Sequence, residues 1–395
     1  MTYKGVMTFT SHATKDLVTT IVDYLEIDPS LARSLPLAAY RDPSLHELEV
    51  ETVFRRDWLC IGRADQVARP GDWFAAEVVG EPLVVAHGDD GTLRAFSSLC
   101  RHRNMPLATG SGHDRRLVCP YHRWTYDLDG VLRGAPLMDL PRGDDGGPCR
   151  LPLIAVDIWL GFVFVNLHAA PPSLPLGLEG AASTLAPYDM ATWRNLVPVD
   201  EIWPGNWKLA FETALEGYHL DGLHPGTIAS MLPSKGSFFV EGHPRWSCFR
   251  LTVDFDSELG AATRASAVAM GGADAVASPT VSMHPHVNIS CTPTSAVWLS
   301  FLPVGVDRTH VIGGYLVPPD EYERIMAAPD ELAFTVGAIE QLNREDASAT
   351  IALQQVTGSR LATRGPLDQR EAGLLHFYRY LATQLNESNS GDRHG

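Results

Sequence analysis

The chain has 395 residues, 45% of them hydrophobic and 20% charged, with a formal net charge of -16. That length supports about two or three domains, and that charge repels a nucleic-acid backbone or an anionic membrane surface. Six cysteines (Cys60, Cys100, Cys119, Cys149, Cys248 and Cys291) are too sparse for a disulfide scaffold. The N-terminus carries no apolar run of signal-peptide type, and no segment reaches bilayer-spanning length. A cytoplasmic protein is expected, with neither nucleic acid nor membrane as a partner.

In chain order, residues 14–50 read as helical. From Trp58 the pattern becomes β-rich, with short strands in WLCIGR (58–63), WFAAEVV (73–79), LVVAH (83–87) and TLRAFSSL (92–99). Turns at Gly80-Glu81-Pro82 and at Gly88–Gly91 separate them. RGDDGGP (142–148) reads as an irregular loop and LGFVFVNL (160–167) as a buried strand. AAPPSLPLG (169–177) is stiff enough to mark a domain boundary. Helical periodicity covers 206–224, and strands are expected at 249–255, 296–304 and 309–317. The Ala- and Gly-rich stretch 257–279 reads as a mobile loop or weak helix, and 319–355 as one long helix or two. A last helix covers 368–385, with Asp368 and Glu371 spaced as a capping pair. The expected divisions are an N-terminal helical segment (1–45), domains at 46–168 and 169–386, and a disordered tail (387–395).

The first domain offers one thiolate and one imidazole twice, as Cys100-x-His102 and, after sixteen residues, Cys119-x-x-His122. Zinc accepts two Cys and two His, although structural zinc sites usually open with Cys-x-x-Cys. Matched pairs on two short loops suit a two-iron, two-sulfide cluster, one iron on the thiolates and the other on the imidazoles. Imidazole ligation raises the reduction potential above that of an all-Cys cluster.

The second domain contains Glu216-Gly-Tyr-His219 and then His224. On a helix, Glu216 and His219 share a face, and Gly222 and Pro225 would end the helix near His224. Two imidazoles with one carboxylate form the open face on which non-haem Fe(II) activates O2. Taken alone, the His pair also fits ordinary polar histidines in a chain with 15 of them.

Together these motifs resemble the Rieske non-haem iron oxygenases. Cys100-Arg-His102 with Cys119-Pro-Tyr-His122-x-Trp124 is similar to the Rieske signature, with Gly110, Gly112 and Gly130 in the flanking loops. Asn206-Trp207-Lys208, Glu212, Glu216-x-Tyr218-His219 and His224 resemble the catalytic motif. The resemblance spans about residues 45–385. It implies an α+β chain: a Rieske β-domain, then a helix-grip (START-like) catalytic domain whose curved antiparallel sheet wraps a long helix.

The same resemblance implies the site. Cys100 and Cys119 would bind the inner iron of a [2Fe-2S] cluster, and His102 and His122 the outer one. His219, His224 and Asp346 would bind mononuclear Fe(II). Glu345 is the rival of Asp346; on a helix the two point about 100° apart, so one alone can face the metal. Glu216 would lie between the mononuclear iron and a Rieske histidine of a neighbouring subunit in a homotrimer. Most members have Asp there, and Glu resembles the carnitine- and betaine-type monooxygenases. Thr213 stands where many members have Asn.

The implied enzyme is a terminal oxygenase (alpha) subunit using O2. Its electrons come from a separate NAD(P)H-dependent reductase or ferredoxin, since no dinucleotide-binding glycine motif is present. The favoured outcome is monooxygenation, by hydroxylation or oxidative N-demethylation of a small polar molecule. Aromatic ring cis-dihydroxylation is the alternative, and a Rieske electron carrier without oxygenase activity is the alternative of another class. Candidate pocket residues are Met231, Phe238, Phe239, Trp246, Phe249, Met283, His284, His286, Asn288, Trp298 and Phe301. Their aromatic rings suit a quaternary ammonium or an aromatic ring equally.

Overall fold

The computed structural model describes residues 12–271 and 276–391. The chain divides into two compact units, Arg55–Leu174 and a larger one made of Met1–Phe54 with Pro175–Gly395. The break after Leu174 falls inside the proline-rich stretch. The expected N-terminal segment does not stand alone: Leu17, Val18 and Ile21 are buried, and Tyr24 packs edge-on against Tyr378 at 5.0 Å.

Arg55–Leu174 is a β unit. Its strands are β1 (Leu59–Arg63), β2 (Asp72–Val78), β3 (Glu81–His87), β4 (Leu93–Ser97), β5 (Ser111–His113), β6 (Arg116–Val118), β7 (Thr125–Asp127), β8 (Leu132–Gly134), β9 (Leu153–Trp159) and β10 (Phe162–Asn166). They form an antiparallel seven-stranded sheet in the order β1-β10-β9-β4-β3-β2-β5 and a three-stranded sheet β6-β7-β8. Two hairpins turn on two residues with positive φ, Val79-Gly80 and Leu160-Gly161. That geometry matches the right-handed twist of the strands it joins. The turn therefore precedes Glu81 and Pro82, which open β3.

In the larger unit the helices are α1 (His12–Val22), α2 (Pro43–Glu49), α3 (Glu179–Leu185), α4 (Trp207–Thr213), α5 (Leu220–Leu223), α6 (Glu258–Met270), α7 (Pro319–Met326), α8 (Pro329–Val356) and α9 (Ala372–Gly391). The strands are β11 (Arg194–Trp203), β12 (Ser237–His243), β13 (Trp246–Thr252), β14 (Ala277–Met283), β15 (Val287–Thr292), β16 (Ser295–Gly305) and β17 (Arg308–Val317). They form one antiparallel sheet in the order β11-β17-β16-β15-β14-β13-β12. α9 packs on it, with His376 stacked on Phe239 of β12 at 5.1 Å, and its Leu374, Phe377, Tyr378 and Leu381 are buried. Asp368 and Glu371 make the expected reciprocal cap ahead of α9. The helix runs on through Gly391, into the stretch expected as a tail, whose residues 392–395 lie outside the described ones. Part of the Ala-rich stretch is helical, as α6, capped by the Ser257 hydroxyl; 272–275 lie outside the described residues.

The periodicity over 206–224 does not give one helix. α4 ends at Thr213, and α5 is a single turn beginning after His219. Upstream, α4 is clamped by its own motif. The Asn206 side chain accepts from Lys208 N–H at 3.0 Å and donates to the Val306 carbonyl at 2.7 Å. Trp207 Nε1 donates to Glu49 Oε2 at 3.0 Å, and Lys208 Nζ lies 2.7 Å from both oxygens of Glu49. Lys208 and Glu49 are fully buried. Tyr40 donates its hydroxyl to Glu212, 2.9 and 3.0 Å from the two carboxylate oxygens.

Two predictions follow from this clamp. Lys208→Met leaves Glu49 as an uncompensated buried charge, so it lowers stability by about 3–5 kcal/mol in chemical denaturation, and Glu49→Met/Lys208→Met recovers much of that loss. Burial pushes the Glu212 carboxyl up to about 8, outweighing the Tyr40 hydrogen bond and the Lys208 charge. Its folded-state pKa lies above the unfolded value, so its contribution is fully present below about pH 4.5 and is lost as pH rises through about 8. Glu212→Gln therefore flattens the fall in Tm across that window, measured by scanning calorimetry.

Candidate metal centres

In the β unit, two loops hold the Cys/His pairs in one backbone geometry. The Cys100 carbonyl accepts from Asn104 N–H at 2.9 Å, and Cys100 N–H donates to the Met105 carbonyl at 3.0 Å. Cys119 repeats this with Arg123 at 3.0 Å and Trp124 at 2.8 Å. Asn104 and Arg123 both take left-handed backbone, with φ of 56° and 60°. Both thiols are buried in one apolar cluster with Leu107, Leu117, Trp124, Tyr126 and Leu132. His102 and His122 are exposed, with ring centroids 4.7 Å apart. His102 stacks on Trp124 at 4.8 Å and His122 on Tyr121 at 3.8 Å. Two thiolates inside and two imidazoles outside fit a two-iron cluster with one buried and one outward iron. Tyr126 Oη accepts from Arg101 N–H at 3.0 Å and lies 3.3 Å from Cys100 Sγ, to which it is placed to donate.

In the larger unit, the end of α4 is held by the sheet. The Ala214 carbonyl accepts from Asn288 Nδ2 at 2.7 Å and from Ser282 Oγ at 3.0 Å. Ser282 and Asn288 are direct cross-strand partners on β14 and β15. Thr213 spends its hydroxyl on the Ala210 carbonyl at 2.8 Å. The chain then turns at Glu216, whose carboxylate accepts from Tyr218 N–H and, at 3.2 Å, from His219 N–H. Its other oxygen lies 2.7 Å from His219 Nδ1. The i, i+3 contact expected on a helix face is thus made by a loop carboxylate just ahead of α5.

His219, His224 and Asp346 each offer a ligand atom within 4.8 Å of the others. His219 Nε2 lies 3.8 Å from Asp346 Oδ1, and His224 Nε2 lies 3.2 Å from the same oxygen. Two imidazoles and one carboxylate on one side, with the other positions open, is the donor set of a non-haem ferrous site. Glu345 faces elsewhere: its Oε2 lies 2.7 Å from His224 Nδ1 and accepts from Thr227 Oγ1 at 2.8 Å. Burial opposes the charge on His224, but Asp346 and Glu345 more than offset it and lift its pKa above the ordinary value. Burial likewise opposes the charge on Glu345, and hydrogen bonds from Gln341, His224 and Thr227 outweigh it, so its pKa is lowered.

The candidate pocket residues do not gather in one place. Phe238 is exposed, and Phe239 stacks on His376 at 5.1 Å. Both line a cleft of about 930 Å³ with Asp368, Arg370 and Glu371, which none of the other candidates reaches. Trp246 is buried against Gly180 of α3, where a Cβ would come within 2.3 Å of its ring. His286 and Trp298 are buried, and Asn288 is engaged with Ala214. Among the further candidates, Phe249 and Met231 belong to one apolar cluster with Leu220, next to His219. Sequence alternation along β16 does not separate inward from outward residues, because Trp298 through Leu302 are all buried.

The fold and the two sets of candidate metal-binding side chains are those of a Rieske-type oxygenase. The chain belongs to that family: the model for the ring hydroxylating alpha subunit (catalytic domain) matches residues 189–387, and that for the Rieske [2Fe-2S] domain matches residues 57–142. The glycine betaine monooxygenase oxygenase subunit of Chromohalobacter salexigens is 36% identical over 200 residues, 50% of this chain and 45% of that one. The carnitine monooxygenase oxygenase subunit of Acinetobacter pittii is 31% identical over 228 residues, 56% of this chain and 60% of that one. The matched segments thus span about half the length of these relatives. A crystal structure of a quaternary ammonium Rieske monooxygenase in complex with an inhibitor has the same fold, with a TM-score of 0.78 at 22% identity over 92% of this chain and 98% of that one. Among the described residues no helix is long and apolar enough to cross a membrane.

Tyr126→Phe removes a hydrogen bond to Cys100, a candidate cluster ligand. The cluster should stay bound and its reduction potential should become more negative, as read by a redox titration of its visible spectrum.

Proposed function

We propose that this chain is the terminal oxygenase of a multicomponent system and monooxygenates a small polar molecule, a quaternary ammonium compound being the favoured class. The observation that carries the reading is the meeting of His219, His224 and Asp346 in a chain that also brings two Cys/His pairs together. The substrate class is supported by Glu216 at the bridging position and by the names of the betaine and carnitine relatives.

In this reading Cys100, Cys119, His102 and His122 hold the [2Fe-2S] cluster, and His219, His224 and Asp346 hold the ferrous iron. When bound, the cluster supplies electrons singly and the iron supplies a site for O2. A separate NAD(P)H-dependent reductase or ferredoxin provides the electrons. One oxygen atom enters a C–H bond and the other leaves as water, at the cost of two electrons and two protons. Where the C–H belongs to an N-methyl group, the product loses formaldehyde as its C–N bond breaks.

The chain's own residues set the geometry. Glu216 accepts a hydrogen bond from the Nδ1–H of His219, which leaves Nε2 as the ligand. In a trimer, Glu216 would stand between His219 and a cluster histidine of the next copy. Asn288 and Ser282 hold the helix end that delivers this segment.

Three measurements test the reading. Iron analysis should give three irons per chain, against two for a simple electron carrier, and His219→Ala should keep the cluster spectrum while abolishing turnover. The nitrosyl EPR signal of the reduced enzyme should shift with betaines. A shift confined to aromatic acids would favour ring hydroxylation instead, and no signal in iron-replete enzyme would leave the electron-carrier reading.

A further inference from the structure

We propose that Glu345 is the positioning carboxylate of His224, fixing its tautomer and ring orientation for metal binding. The inference rests on the reading of His219, His224 and Asp346 as the iron ligands. α8 presents two consecutive carboxylates about 100° apart around its axis, and the His224 imidazole lies between them. Its Nδ1 is 2.7 Å from Glu345 Oε2, and its Nε2 is 3.2 Å from Asp346 Oδ1.

Only one neutral tautomer satisfies both contacts once a metal is bound. With the proton on Nδ1, His224 donates to Glu345 and turns the Nε2 lone pair toward Asp346. With the proton on Nε2, the ring could not ligate from that side, and a lone pair would face a carboxylate. A hydrogen-bonded carboxylate also makes the imidazole a stronger donor.

Glu345 is itself held at both oxygens. Oε2 accepts from Thr227 Oγ1 at 2.8 Å, and Oε1 accepts from Gln341 Nε2, one turn back on α8, at 2.9 Å. Thr227 lies three residues beyond His224, so the loop that carries the imidazole also grips the carboxylate that orients it. The other imidazole repeats the pattern, with His219 Nδ1 on Glu216 and Nε2 toward Asp346. The two supports differ in construction. Glu216 is steadied by backbone N–H groups of a loop, whereas Glu345, on a 28-residue helix, is steadied by two side chains, Gln341 of that helix and Thr227 of the loop. His224 is 1% exposed and His219 21%. Glu345 thus supports the more buried of the two imidazoles and serves metal retention.

The test is ferrous-iron affinity, measured against a competing chelator on enzyme that keeps its [2Fe-2S] cluster. Glu345→Ala should bind the mononuclear iron about 10–100-fold more weakly than wild type. Glu345→Gln keeps an oxygen where Oε2 stands, so it should lose less than the alanine variant. Thr227→Val, nearly isosteric, should weaken binding by a smaller factor and reads the same clamp if Glu345→Ala does not fold. Affinity within about twofold of wild type for both Glu345→Ala and Thr227→Val would overturn the proposal. So would a glutamine variant as weak as the alanine one, since an orienting hydrogen bond would then not be the cause. A wild-type enzyme that takes up no third iron would refute the iron-centre reading itself, which is a separate result.

Discussion

The larger unit depends on where α4 stops. Helical periodicity continues past Thr213, and a helix carried to His224 would need nothing more than its own backbone hydrogen bonds. Instead the Ala214 carbonyl is taken by Asn288 and Ser282 from the facing strands. A carbonyl satisfied from outside the helix leaves the next turn free to unwind. The chain then bends at Glu216, and two imidazoles five residues apart can both present Nε2 to one carboxylate. A break of this kind is useful only if its position is fixed, which is the role of the clamp upstream. Asn206, Trp207, Lys208 and Glu212 look like chemistry in the sequence; in the structure they tie α4 to Glu49, Val306 and Tyr40.

The β unit reaches a matched site by another route. Its two loops repeat one turn, with the same i+4 and i+5 backbone bonds from each cysteine and a left-handed residue at the same place. The repeat sets both thiols inward into an apolar cluster and both imidazoles outward. With a cluster held there as proposed, burial of the thiol side and exposure of the imidazole side would make the histidine edge the one from which an electron leaves or enters.

Around the proposed mononuclear centre, three carboxylates occupy different places. Asp346 faces the point where the imidazoles meet, while Glu216 and Glu345 each stand behind one ring. Each imidazole therefore has its Nδ1 occupied, and a metal sees one ring nitrogen from each. With iron held there as proposed, charge placed behind the rings would strengthen both donors without using a coordination position, which would keep the remaining positions open.

Much of this was legible in the residue order. The Cys/His spacing, the Glu216–His219–His224 run, the helix cap at Asp368 and the short strands are local patterns, governed by forces that act within a few residues. They sufficed for the α+β class and for the two kinds of cofactor the family carries, and they pointed to candidate residues that the structure brings together. Three things were decided only by tertiary structure. Whether Glu345 or Asp346 meets the imidazoles depends on how α8 is rotated against a loop 121 residues earlier, which no local pattern encodes. The interruption of 206–224 depends on donors from β14 and β15, so periodicity alone extended the helix through it. The role of Asn288 follows from its partner Ala214, 74 residues away: a polar side chain on a buried strand reads as a binding group until the backbone carbonyl it serves is in view.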